Sequence, residues 1–250
     1  MNYKLEGNGK PLVFIHGLSD NLLYWEFLSS NLRHDYQVLR VDLRGHGESE
    51  LGTDEITIDT YVDDLNNLLD ELNISNVNLI GFSLGGAVAL DFAIKYPQKV
   101  DSMVLMSTFY KADDNLRNTL HEFKTALNVG FGEFFDTILP MILCPDVIEA
   151  NEKELESLKE MTSQNANVKA YIKAVDVCLN FNAEEYLSEI SIPTLIVAGK
   201  YDEISTLEMQ KDLNSKIENS KLIILDNVKH NLLIGENNER ILDALKEFLN

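Results

Sequence analysis

Ser83 sits in the stretch Asn78-Leu79-Ile80-Gly81-Phe82-Ser83-Leu84-Gly85-Gly86-Ala87, a G-x-S-x-G pattern. An apolar run over residues 77–80 precedes it, and a nearly all-apolar run over residues 87–94 follows. The pattern therefore falls between a buried strand and a buried helix. A serine there occupies a strained strand-to-helix turn that lifts its hydroxyl clear of the sheet. Glycines two residues to either side are required, because a Cβ at those positions would collide with neighbouring backbone. The chemistry this implies is nucleophilic attack on an acyl carbon, with the Leu84 N–H directed at the developing oxyanion.

The elements that would hold such a serine alternate strand and helix from the start. Residues 3–6 alternate weakly and meet Gly7-Asn8-Gly9, a turn signal, before the apolar run Pro11 to Ile15; this predicts an edge hairpin leading into a central strand. Trp25, Phe27, Leu28 and Leu32 suit a helix, and residues 37–41 form the next strand. A second helix is expected to begin near Thr60, capped by its hydroxyl, with Tyr61, Leu65, Leu68, Leu69 and Leu72 on one face. Residues 100–106 read as another strand. The β-α-β-α-β-α-β order requires a mostly parallel, doubly wound sheet with right-handed crossovers.

Between residues 109 and 191 the strands stop and amphipathic helices take over. One of its stretches, residues 131–143, is short, aromatic and broken by Pro140. About 80 residues cannot be a structureless loop inside a compact domain, so this is expected to be a helical cap inserted between two late strands. The sheet resumes at residues 193–198 and ends with a strand at 221–225 and a closing amphipathic helix. The domains expected are a core of residues 1–108 and 192–250 and a cap of residues 109–191.

Functional side chains of open α/β sheets gather beyond the carboxyl ends of strands. Four positions obey that rule here: Gly17-Leu18, Ser83, Asp202 and His230. Asp226 is too close to His230 along the chain to orient it, and Asp42 belongs to a separate loop motif.

The formal charge of −20 (21 Lys and Arg against 41 Asp and Glu) argues against a nucleic-acid or anionic-membrane surface. No segment has the length of a membrane span, and residues 1–6 lack an apolar signal region, so a cytoplasmic protein is expected. Cys144 and Cys178 read as thiols rather than a disulfide. No spacing suggests a metal site, and neither a phosphate-binding loop nor a dinucleotide fingerprint occurs, so no cofactor is expected.

Taken together, His16-Gly17 after a strand, Asp42-x-Arg44-Gly45-His46-Gly47-x-Ser49, the Ser83 motif, Gly199-x-x-Asp202 and the late His230 resemble the α/β-hydrolase-fold serine hydrolases across essentially the whole chain. The resemblance implies a Ser83–His230–Asp202 triad, with His230 as base and Asp202 fixing its tautomer. It also implies an oxyanion hole from the N–H groups of Leu18 and Leu84, and structural roles for His16 and His46. The expected activity is hydrolysis of a small-molecule carboxylic ester of small or medium acyl chain. Phe131, Phe134, Phe135, Met141 and Tyr171 would form an apolar pocket wall. Lactone, thioester and carbon–carbon bond hydrolases carry the same motifs, as do hydrolase-like ligand sensors that act through a protein partner. Serine at position 83 disfavours the aspartate-nucleophile branches.

Overall fold

Strand residues in this chain are apolar on both faces, which demands a sheet covered on both sides. A computed structural model, describing residues 1–53 and 55–249, shows how that is met. In chain order the elements are β1 (Tyr3–Glu6), β2 (Lys10–Ile15), α1 (Glu26–Leu32), β3 (Tyr36–Val41), α2 (Ile58–Glu71), β4 (Val77–Phe82), α3 (Leu84–Lys95) and β5 (Val100–Met106). Then come α4 (Asp114–Val129), α5 (Phe131–Ile142), α6 (Pro145–Ala150), α7 (Glu152–Asn165) and α8 (Val168–Asn180). The chain closes with β6 (Thr194–Gly199), α9 (Leu207–Lys216), β7 (Ser220–Leu225) and α10 (Asn237–Leu249).

The strands form one sheet in the order β1-β3-β2-β4-β5-β6-β7, parallel throughout except for β1. Side-chain alternation sorts each strand between two cores. Leu12, Phe14, Ile80 and Val104 pack with Trp25 and Leu28 on the α1 side and with Leu242 and Leu245 of α10. Val13, Ile15, Leu79 and Leu105 pack with Leu65 and Leu69 of α2 and Val88 of α3 on the other side. The sheet is thus doubly wound, with β4 and β5 at its centre.

Three local expectations are corrected. The first strand does not form a hairpin with the second: β1 runs antiparallel to β3, with Tyr3 opposite Val41. The turn between β1 and β2 instead passes over the start of β3, where Gly7 and Gly9 adopt φ of +75° and +121° and a Cβ on Gly7 would overlap the carbonyl oxygens of Arg33 and Tyr36. Strand alternation carries no information about the neighbour; the buried Arg40 of β3 does, since its guanidinium binds Glu6 of β1 at 2.8 Å and Glu26 of α1 at 2.5 Å. The second correction concerns α2, which is capped by Thr57 rather than Thr60, the two threonines satisfying each other's backbone N–H in a capping box.

The third concerns residues 131–142, which are one continuous helix, α5, despite Pro140. The proline stands in the last turn, where helix carbonyls need partners from outside. They are found on the His230 loop: Lys229 Nζ donates to Pro140 O at 2.7 Å, and Asn231 N donates to Ile142 O at 3.1 Å. No described helix is long and apolar enough to cross a membrane.

Glycines test this packing from opposite directions. Gly85 lies against β2, and a Cβ there would overlap the Ile15 and His16 carbonyls. Gly132 lies inside α5, where a Cβ would meet only the flexible end of Lys159 at 3.5 Å. Gly85→Ala should therefore destabilise by about 3 kcal/mol through overpacking. Gly132→Ala should stabilise by about 0.5–1 kcal/mol through helix propensity. Urea unfolding midpoints of the two variants check both signs.

Candidate active site

Ser83 is the residue at which β4 ends and α3 begins, and its backbone holds φ +52° and ψ −117°. A β-carbon-bearing residue is rarely found there, and such a conformation costs on the order of 1–3 kcal/mol. Several contacts hold it. Ser83 N donates to Met106 O at 3.0 Å, and the Ser83 carbonyl accepts Thr108 Oγ1 at 2.7 Å and Gly86 N at 2.9 Å. Gly81 and Gly85 leave room for the turn to fold on itself, because a Cβ on Gly81 would overlap the Gly85 carbonyl. The hydroxyl is thereby presented beyond the carboxyl end of β4.

Two other strand ends meet it. Asp202 follows β6 and His230 follows β7, and their loops touch so closely that a Cβ on Gly199 would overlap Lys229 O. Asp202 Oδ1 accepts the backbone N–H groups of Ile204 (2.9 Å) and Ser205 (3.0 Å). Its Oδ2 accepts Ser205 Oγ (2.8 Å) and lies 2.8 Å from His230 Nδ1. With the imidazole proton on Nδ1 facing that carboxylate, the Nε2 lone pair faces Ser83 Oγ at 3.0 Å. The three side chains are nearly inaccessible to bulk water, at 9%, 5% and 4% exposure for Ser83, Asp202 and His230. The other carboxylates considered lie elsewhere. Asp42 accepts Leu22 N and Asn2 Nδ2, both at 2.7 Å, and Asp226 pairs with Lys200 at 2.9 Å.

A cavity of about 280 Å³ opens on Ser83 and His230. Leu18 and Leu84 line it, and Leu84, as the first residue of α3, has an N–H with no partner inside the helix. Phe131 and Phe135 also line it, together with Phe134, Ile138 and Ile142 from the same face of α5. Met141 and Tyr171 do not line it, contrary to expectation. Met141, partly buried, packs against the neighbouring hydrophobic core instead. Tyr171 packs behind the wall against Phe131 and His46, at ring distances of 6.0 and 5.0 Å. Residues that the motifs did not single out also line it, among them Leu116, Leu120 and Phe123 of α4, and Asp20, Tyr24 and Asn231 near His230. The helical periodicity of α4 and α5 would have found the first group; nothing in the motifs marks the second.

The loop carrying Leu18 is pinned by His16. Its Nδ1–H donates to Gly17 O at 2.7 Å and its Nε2 accepts Leu43 N–H at 3.0 Å, a pattern that needs the neutral ring. Burial depresses the His16 pKa to about 4, and burial with the neighbouring His16 depresses that of His46 to about 3. Among the described residues no cluster of three or more His, Cys, Asp or Glu side chains is placed to hold a metal.

The model of the alpha/beta hydrolase fold family matches residues 10–137. The chain belongs to the α/β-hydrolase fold family. Its similarity to protein Rv2715 of Mycobacterium tuberculosis is 35% identity over 105 residues, which covers 42% of this chain and only 31% of that protein. Thus the chain spans about a third of the first such relatives. It is 26% identical over 228 residues to 3-oxoadipate enol-lactonase 2 of Acinetobacter baylyi, covering 90% of this chain and 85% of that one. It also superposes on a thermophilic esterase from Thermogutta terrifontis with a TM-score of 0.88 and 25% identity, covering 99% of this chain and 92% of that one.

The buried histidines of this α/β-hydrolase fold give it a pH-dependent stability. Unfolded histidine titrates near 6.5, so at acidic pH below that value the unfolded chain binds more protons than the folded one. The stability they contribute is complete above about pH 6.5 and is lost as pH falls towards the folded values. Between pH 7 and 5 each should lose about 2 kcal/mol. Urea titrations at several pH values should show this decline, and His46→Gln should reduce its slope.

Proposed function

We propose that the protein is a serine hydrolase that cleaves carboxylic esters of small or medium acyl chain through Ser83, His230 and Asp202. The observation that carries this is the 3.0 Å approach of His230 Nε2 to Ser83 Oγ at the floor of a largely apolar cavity. His230 takes the hydroxyl proton as Ser83 attacks the carbonyl carbon, and Asp202 stabilises the imidazolium. The N–H groups of Leu18 and Leu84 receive the oxyanion. His230 then protonates the leaving alcohol, and a water activated by the same imidazole releases the acid from the acyl-enzyme. Residues 109–191 act as the cap, with Phe131, Phe134 and Phe135 taking the acyl chain.

Similarity to an esterase and an enol-lactonase supports this class of bond. A lactone is an internal ester, so the same atoms would open a neutral lactone ring. No lysine or arginine lines the cavity among the described residues, which disfavours dianionic substrates.

Steady-state hydrolysis of chromogenic esters graded by acyl length tests the reading. The wild type should turn over many times, with an optimum set by the aromatic wall, and Ser83→Ala should fall to background. Asp202→Asn should lower kcat by about 10⁴ through loss of the correct imidazole tautomer. Release of a single equivalent would indicate a ligand sensor instead, and an unaffected Ser83→Ala would remove the nucleophile assignment.

A further inference from the structure

The cavity has two chemically different ends. Its α4 and α5 side is hydrocarbon, whereas Asp20, Tyr24 and Asn231 give the other end hydrogen-bonding groups. The Tyr24 hydroxyl donates to Asn231 Oδ1 at 3.2 Å, and Tyr24 is itself stacked on Phe82 at a ring distance of 4.7 Å. This bond uses the amide oxygen; the Asn231 amide nitrogen has no acceptor among the described residues. Asp20 lies three residues beyond Gly17; its backbone N–H donates to Gly17 O at 3.4 Å, and its carboxyl lies against the Gly17 backbone. No lysine or arginine pairs with Asp20 among the described residues, and the titratable groups that face it are His230, Tyr24 and Tyr171. Burial raises the Asp20 pKa to about 7, against the opposing effects of His230 and the Gly17 backbone. Near neutral pH its carboxyl therefore both donates and accepts hydrogen bonds.

The direction of the reaction assigns these ends. His230 Nε2 returns its proton to the leaving alcohol, so the alcohol part of an ester lies on the His230 side. Asn231 follows His230 directly, and Asp20 feels the charge of its ring. The acyl part then takes the hydrocarbon end.

We propose that Asp20 and Asn231 form a subsite for the alcohol part of the substrate, favouring alcohols that bear a neutral hydroxyl and rejecting those that bear a carboxylate. This rests on the ester-hydrolase reading above. A hydroxyl can donate to Asp20 or accept from it, and can accept from the Asn231 amide. A carboxylate is taken out of water beside Asp20 with no lysine or arginine in the cavity wall among the described residues to pair it.

Three butyrate esters of equal alcohol length test the subsite: propyl, 2-hydroxyethyl and carboxymethyl. Their kcat/KM values, each divided by the rate with hydroxide to remove intrinsic reactivity, are compared in wild type, Asp20→Leu and Asp20→Asn. Wild type should favour hydroxyethyl over propyl by about five- to tenfold, the size of one net hydrogen bond, and should disfavour carboxymethyl. Asp20→Leu should abolish the hydroxyethyl preference. Asp20→Asn, which keeps a donor and an acceptor, should retain it while raising carboxymethyl relative to propyl. Equal wild-type values for hydroxyethyl and propyl, or a full preference in Asp20→Leu, would overturn the proposal. If Asp20→Leu does not fold, Asp20→Asn decides, and an unchanged carboxymethyl ratio overturns it. Failure of wild type on all three esters and on the chromogenic series would instead overturn the hydrolase reading itself.

Discussion

Everything at the candidate site depends on how closely α3 can approach the sheet. The helix begins one residue after Ser83, and its second residue, Gly85, rests directly on the carbonyls of Ile15 and His16. Gly86 does the same against the side chain of Thr108 after β5. Only hydrogen atoms fit at these points. Because the helix is pressed onto the ends of β2 and β5, the turn preceding it must compress, and Ser83 is forced to positive φ. The strain is local, and the bonds from Thr108 Oγ1 and to Met106 O absorb it into the central strands. The same approach brings the His16 loop, with Leu18, beside the first N–H of α3.

The other half of the site is built by a second close approach, between Gly199 and Lys229. It draws the loops after β6 and β7 together, so Asp202 reaches His230 although they are separated by 28 residues. Lys229 extends the connection further: it pairs with Glu203 and donates to Pro140 O at the end of α5. The helix that walls the cavity, the loop of the carboxylate and the loop of the imidazole thus share one lysine. Ser205 contributes a hydroxyl to Asp202 Oδ2, which leaves that carboxylate fully engaged and the imidazole orientation fixed.

The sequence displayed those parts of the structure that depend on local sterics and periodicity. G-x-S-x-G is legible because the turn excludes side chains at 81 and 85, and the strand–helix alternation is legible because each element buries an apolar face. Strand neighbours were less legible. The pairing of β1 with β3 is accompanied by the Arg40–Glu6 contact across 34 residues, which no alternation pattern encodes. The cavity wall was legible only in part. Phe131 and Phe135 share a helical face, but apolar character alone also suggested Met141 and Tyr171, which pack against the core and behind the wall instead. Pro140 obscured that face by resembling a helix break. Asp20 and Asn231 carry no motif, and they become visible only when the loops after β2 and β7 meet.

The electrostatics of the molecule and of the cavity differ in kind. The excess of acidic residues is mostly solvated and screened over about 8–10 Å at ordinary ionic strength. Its effect on a ligand inside the cavity is accordingly small. What such a ligand meets is a few groups removed from water: an apolar wall, the imidazole, and one carboxyl without a cationic partner. In that environment the absence of a nearby positive charge matters more than the net charge of −20. A buried anion needs a partner, and among the described residues no lysine or arginine lines this cavity to pair a second carboxylate. Neutral ligands avoid that cost, while a protonated His230 would be paired by Asp202 and would also face Asp20. The same arrangement therefore favours a positive charge on His230 and disfavours an anionic ligand.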